Sequence, residues 1–172
     1  GSATVTNTNR IKIVGSQQSE EVVLTLEGGP LAPGAANERT GAPEIEVQAD
    51  LGSGTDTLVL QGGNGGDRLS FRGQKAGALN GDSDADLAIS GVDRWRLDGG
   101  LGNDVLDGRG APVVTIYGRE GSDRILGGAG DDSLRGDDGD TPAADGNDVL
   151  VGGGGDDDLQ AGGGNDRLEG GA

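Results

Sequence analysis

Six aspartates, Asp104, Asp123, Asp132, Asp148, Asp157 and Asp166, recur in one setting: glycine-rich residues before them and an aliphatic residue two places after. Such segments offer a metal ion carboxylate and backbone carbonyl oxygens and little else. The chain has no His and no Cys, so the ligand chemistry is hard oxygen, suited to calcium or magnesium rather than zinc, copper or iron. The same absences remove the Ser-His-Asp and Cys-His nucleophile systems and the HExxH zinc site.

These aspartates need a scaffold that composition does not obviously supply. Only 31% of the 172 residues are hydrophobic and 2% aromatic, 38 are glycine, and the formal net charge is −17. Glycine raises the entropic cost of ordering the chain, and the charge makes any compact state repel itself. By composition alone the chain reads as disordered. With no cysteine for disulfides, a metal ion is the remaining outside source of stabilisation. No apolar run approaches the roughly 18 residues of a membrane span, and no signal peptide is visible. The opening "GSA" without Met reads as a cloning remnant on a fragment of a longer protein.

The scaffold lies in a repeat of nine residues. Aligned on the aspartate, the segments are Gly99–Asp107, Gly118–Leu126, Gly127–Arg135, Ala143–Val151, Gly152–Gln160 and Ala161–Glu169. The sixth position is the aspartate and the eighth is Leu106, Ile125, Leu134, Leu150, Leu159 or Leu168. Three residues around the eighth position make a short strand with one side chain inward, as period-two alternation dictates. Glycines at the first, second and fourth positions let backbones approach closely, so that carbonyls point to a common centre. A flexible acidic linker would have no reason to place an aliphatic residue two places after every aspartate.

This pattern, GGxGxDxUx with U a large aliphatic residue, resembles the nonapeptide of the RTX (repeats-in-toxin, haemolysin-type calcium-binding) family. The resemblance implies an all-β fold, a right-handed parallel β-roll or β-helix solenoid with two nonapeptides per turn. Loops on one side would then be 18 residues apart in sequence and roughly 4.8 Å apart in space. It also implies calcium between stacked loops, one loop giving its first and third carbonyls and its aspartate, the next its second and fourth carbonyls and its aspartate. The residues so implied are Gly99, Gly100, Leu101 and Gly102; Gly118, Arg119, Glu120 and Gly121; Gly127, Gly128, Ala129 and Gly130. Ala144 and Gly146, Gly152, Gly153, Gly154 and Gly155, and Gly162 and Gly164 complete the set. The expected neighbours are Asp104 with Asp123, Asp123 with Asp148, Asp148 with Asp166, and Asp132 with Asp157. That arrangement implies about four ions in this half, and a fifth beyond Asp157.

The repeat has departures. In "GRGAPVVTI" (108–116) Val113 stands at the aspartate position, so the second stack is expected to begin at Asp132, and Tyr117 is an extra residue. The insert "GDDGDTP" (136–142) precedes a degenerate "AADGND" and reads as an outward bulge whose Asp137, Asp138 and Asp140 are solvated or hold another ion.

Residues 3–98 read as strands: "RIKIVG", "EVVLTL", "EIEVQ", "DTLVLQG", "DRLSFRG", "DLAIS" and "RWRLDGG", separated by Gly, Pro, Ser and Asp clusters. Two nonapeptide-like segments, Leu51–Val59 and Gly62–Ser70, add Asp56 and Asp67 to the candidate metal ligands, and further calcium in this half. The simplest organisation is an irregular parallel β-helix or cap over residues 3–98, continuous with an RTX calcium-binding β-roll over 99–172. A separate small β-sandwich is the competing reading, and Glu27–Glu44 reads as a long exposed loop under both. Asp82, Asp84, Asp86 and Asp93 echo an EF-hand, but Leu87 replaces the required glycine, so an acidic turn is the plainer reading. Trp95 between two arginines reads as an edge-strand residue, and the net charge opposes nucleic acid.

The functional expectation is a calcium-binding module, disordered without the ion and a solenoid with it, because binding free energy becomes folding free energy. The resemblance implies a secreted, extracellular protein exported by a type I route, with folding outside the cell where calcium is on the order of millimolar. Adhesion to a cell surface, end-to-end self-association, or a place beside a secreted enzyme are the other readings. No catalytic residues are expected in this chain, nor a nucleic-acid partner or a membrane span.

Overall fold

The computed structural model describes residues 10–25, 46–71, 73, 76–78, 87–138 and 146–172. Among them the chain forms strands only. These are β1 (Arg10–Ser16), β2 (Glu21–Thr25), β3 (Glu46–Gly52), β4 (Thr57–Gln61), β5 (Arg68–Phe71), β6 (Ala76–Ala78), β7 (Leu87–Ser90) and β8 (Arg94–Leu101). The repeat region continues with β9 (Val105–Asp107), β10 (Val114–Glu120), β11 (Arg124–Gly128), β12 (Ser133–Arg135), β13 (Val149–Gly153), β14 (Asp158–Gln160) and β15 (Arg167–Gly171). No helix among the described residues is long and apolar enough to cross a membrane.

The strands wind into two sheets. One has the order β1-β3-β7-β6-β5-β9-β11-β13-β15 and the other β14-β12-β10-β8-β4-β2. All pairings are parallel except those of β6 with β5 and β7, which are antiparallel. Successive strands alternate between the sheets through the repeats, so each turn of chain lays one short strand on each. This is the all-β parallel solenoid of the β-roll and β-helix type. Both sheets run from the N-terminal strands into the repeats, and β8 itself spans residues 98 and 99. The three-residue β6 has no counterpart in the sequence reading, because "AGA" carries no alternating pattern to mark it.

The width of the core changes along the solenoid. Two inward residues per strand fill the early turns: Leu58 and Leu60 on β4, Leu69 and Phe71 on β5, Trp95 and Leu97 on β8, Val114 and Ile116 on β10. Phe71 meets Trp95 edge to face, with centroids 4.8 Å apart, a geometry that the ring quadrupoles favour. In the later turns one residue per strand remains, Leu106, Ile125, Leu134 and Leu150, each fully buried. A buried Leu or Ile stabilises by about 1.5–3 kcal/mol, so the narrow turns have roughly half the apolar support of the wide ones. Something other than apolar contact must hold them.

Candidate metal centre

The turns between strands place the repeat aspartates in columns. Each aspartate lies immediately before its strand, and its Oδ1 accepts the backbone N–H of the residue at the same level one turn earlier. In the longer column the Asp67 N–H donates to Asp104 at 2.7 Å, Asp104 to Asp123 at 2.8 Å, Asp123 to Asp148 at 2.8 Å and Asp148 to Asp166 at 2.9 Å. On the other side Val114 donates to Asp132 at 2.8 Å and Asp132 to Asp157 at 2.9 Å. All four expected neighbour pairs are therefore adjacent rungs. A bond from an N–H to a charged group stabilises by about 1.5–3 kcal/mol, enough to set the stacking register.

The second carboxylate oxygen is the one left for chemistry. In Asp104, Asp123 and Asp132, Oδ2 is buried with no hydrogen-bond partner among the described residues. It lies over the first residue of its own loop: a Cβ built on Gly127 would sit 2.7 Å from Asp132 Oδ2, and one on Gly99 or Gly118 would collide with Asp104 or Asp123 Oδ2. First-position carbonyls of the next turn close on the same space, Gly136 O at 2.8 Å from the Gly118 Cβ position and Gly118 O at 2.6 Å from that of Gly99. Only glycine leaves that space open. Second- and fourth-position carbonyls point along the stack, Gly130 O coming 2.8 Å from a Cβ on Gly155. At Gly155 φ is +99°, a backbone that side-chain-bearing residues rarely adopt.

Some of these carbonyls already join the turns. The N–H of Leu101 donates to Gly63 O at 2.9 Å, that of Gly154 to Gly128 O at 3.0 Å, and that of Gly102 to Glu120 O at 2.8 Å. A carbonyl has two lone pairs, so one remains for a second partner. Each loop thus brings one carboxylate and several carbonyls, and no group of three acidic side chains converges among the described residues. This is an all-oxygen donor set with an orphaned buried carboxylate oxygen, and it fits calcium by ligand type and by its tolerance of irregular geometry.

Burial shapes the electrostatics. Desolvation pushes the Asp123 carboxyl up to about 8, the Asp104 N–H opposing and the charges of Asp104, Asp148 and Asp137 adding to the rise. Asp104 is pushed up to about 6, again chiefly by desolvation. Asp132 is raised for the same first reason. Without a cation these groups are driven toward the neutral form, because burying an uncompensated carboxylate costs several kcal/mol.

Two expectations are corrected. The loop ending at Asp148 does not open at Ala143: Gly136 takes the first position, its N–H donating to Gln160 O at 2.9 Å and its carbonyl accepting the Arg119 N–H at 2.7 Å. Asp137 takes the second position, its N–H donating to Ala161 O at 2.8 Å. Its buried carboxylate accepts the Gly163 N–H at 3.1 Å. Gly136 and Asp137 therefore open this loop, in place of the expected Ala143 and Ala144. Ala144 and Asp140 lie outside the described residues, as do Asp82, Asp84 and Asp86. In the other column Val114, not Val113, is level with Asp132: Thr115 pairs Ser133, Val114 is buried, and Val113 is half exposed. The extra residue of that repeat is absorbed in its turn.

Asp56 and Asp67, eleven residues apart, sit on opposite sheets. Asp67 heads the long column, and its Oδ2 accepts the Gly63 N–H at 2.7 Å. Asp56 belongs to a separate column with Glu20 and Asp93, whose Oδ2 accepts the Asp56 N–H at 2.9 Å.

A further set was missed in the sequence. Fifth-position side chains bond in the opposite sense, Asn103 Oδ1 accepting the Ser122 N–H at 2.8 Å, Ser122 Oγ that of Asn147 at 2.9 Å and Asn147 Oδ1 that of Asn165 at 2.7 Å. Asp131 does the same for Asp156 at 2.9 Å. The signal was present, since all are short polar residues at a nominally free position. Arg119 is the other surprise: a non-glycine residue at φ +86°, it forks onto the buried Asp98 at 3.0 and 2.8 Å and lies over Tyr117.

Residues 96–111, 115–141 and 143–172 match the family model of the RTX calcium-binding nonapeptide repeat, in four copies. No curated protein and no solved structure matches the chain.

Proposed function

We propose that calcium binding is what folds and stiffens the C-terminal half, whose residues 96–111, 115–141 and 143–172 match the RTX calcium-binding nonapeptide repeat. The observation that carries the reading is the buried, partnerless Oδ2 of Asp104, Asp123 and Asp132 above a first-position glycine. Oxygens so placed have given up water and gained nothing from protein, which a bound cation would reverse. Calcium supplies two positive charges and a demand for 6–8 oxygens.

The chain's own residues do the rest. Asp104 with Asp123, Asp123 with Asp148, Asp148 with Asp166 and Asp132 with Asp157 would contribute one carboxylate each from adjacent turns, giving about four ions in this half. First-position carbonyls such as those of Gly118 and Gly136 would complete the shells. The columns hold these oxygens in register through the Oδ1 bonds, while glycine keeps the space clear. Asp137, beside Gly136, would add a carboxylate to its loop. The proposed role is that of a structural module in an extracellular protein, since extracellular modules bind calcium at about 10⁻⁴–10⁻³ M and find it there. The matched repeat is a calcium-binding and not a catalytic one. We further propose that residues 3–98 form a β-helical cap on the roll of 99–172.

Equilibrium dialysis against radioactive calcium tests the reading. The expected result is several ions per chain with midpoints in the submillimolar to millimolar range. Magnesium at the same concentration should not displace them. A chain that takes up no calcium at millimolar concentration overturns it.

A further inference from the structure

The column of Glu20, Asp56 and Asp93 lies outside the matched repeats and is built like them, although only the turn of Asp56 carries a nonapeptide-like sequence. β1 and β3 run in register with Ser16 opposite Gly52, which stacks the turn 15–20 on the turn 51–56. Asp56 Oδ1 accepts the Glu20 N–H at 2.8 Å, as Asp123 Oδ1 accepts that of Asp104. The Ser53 N–H donates to Ser16 O at 3.2 Å, the third-to-second-position bond that Leu101 makes to Gly63. Gly52 and Gly54 have φ of +84° and +157°, and a Cβ on either would collide with the carbonyl oxygen of Ser16 or Gln18. Those two carbonyls are thus aimed at the space that the glycines leave.

Two carboxylate oxygens of the same turns are unsatisfied. Asp56 is completely buried, and its Oδ2 has no hydrogen-bond partner. The Glu20 carboxyl is fixed on one side, where Oε1 accepts the Ser16 N–H at 3.1 Å and the Ser16 hydroxyl. Its Oε2 is buried without a partner, and the group is in direct contact with the Asp56 carboxyl. Among the described residues no Lys or Arg pairs with either. Two touching carboxylates, one fully buried and without a basic partner, on turns whose backbone carbonyls point at glycine-cleared space, make a hard-oxygen donor set.

We propose that Glu20 and Asp56, with the carbonyls of Ser16 and Gln18, hold a calcium ion near the N-terminal end of the solenoid, beyond the reach of the nonapeptide repeats. The site would clamp the turn 15–20 onto the turn 51–56 and so cap the sheets where the repeats do not extend. It uses the oxygen chemistry proposed for the repeats but none of their residues, so the two ideas fail separately.

Hydrogen exchange read by mass spectrometry on the full chain, with bound calcium counted in parallel, decides it. With the repeats saturated, Glu20→Gln should bind one calcium fewer per chain than wild type. Calcium should slow exchange over 15–20 and 51–56 in wild type but much less in the variant, while 99–172 responds alike in both. The exposed Glu21→Gln serves as control and should behave as wild type. Asp56→Asn should reproduce the loss, and if it fails to fold, Glu20→Gln decides alone, its carboxylate lying near the surface. A Glu20→Gln variant with undiminished calcium and unchanged exchange overturns the site. So does a wild-type segment 15–20 already protected in chelator and indifferent to calcium, the behaviour of a carboxyl pair sharing a proton. Loss of the response over 99–172 in wild type would overturn the repeat reading instead.

Discussion

In Asp104, Asp123 and Asp132 the two carboxylate oxygens differ, Oδ1 joining turns through a backbone N–H and Oδ2 buried without a hydrogen-bond partner among the described residues. In Asp123→Asn the amide can keep the Oδ1 bond but loses the charge, so the calcium midpoint for folding should rise by roughly tenfold, the value of one charge-assisted contact. Asp158→Asn, exposed on β14, should shift it little; a calcium titration of both variants checks this. The same carboxyls give the decalcified chain a pH dependence. Because burial raises Asp104 to about 6 and Asp123 to about 8 from an ordinary 3.8, the folded form holds protons that the unfolded chain has released. Their contribution to cation-free stability is whole below 3.8 and is lost as pH rises through about 6 and about 8. Acidifying the calcium-free protein should therefore increase its β content, as circular dichroism can read, and no change between neutral pH and pH near 4 would count against buried carboxyls. The aspartates and their neighbours were legible in the sequence because a nine-residue period fixes which side chains share a level. The division between Oδ1 and Oδ2 was not, since it depends on where the neighbouring N–H points.

At the scale of strands, the repeats exchange apolar core for columns of carboxylates at one and the same level. Leu58, Trp95 and Val114 occupy successive rungs of the six-stranded sheet as buried apolar residues. The next rungs are Asp132 and Asp157. Each narrow strand then depends on its single inward residue. Leu134→Ala should cost about 2–5 kcal/mol in the calcium-loaded protein, whereas Leu168→Ala, at a side chain 48% exposed, should cost much less; thermal melts compare them. Strand positions were legible from alternation in "TLVLQ" and "RWRL" and from the eighth-position aliphatics. The loop to Asp148 was misplaced for a physical reason. Extra residues can leave a turn at any point without altering the strands on either side, so counting back from the aspartate chose Ala143 and Ala144 where backbone pairing chose Gly136 and Asp137. Val113 gave way to Val114 through the same freedom.

For the molecule as a whole, stability is distributed unevenly. The wide turns around Phe71 and Trp95 pack apolar side chains, and the narrow turns from Leu106 onward bring buried carboxylates together in a chain of net charge −17. A solenoid of this kind is held by contacts between neighbouring turns, so cations between turns would act on every interface of the repeats at once. Circular dichroism of the decalcified full chain at neutral pH, titrated with calcium, tests this most directly. The predicted result is a weak β signal in chelator and a cooperative gain on calcium addition that magnesium does not reproduce. A full β spectrum in excess chelator, unchanged by calcium, would contradict it.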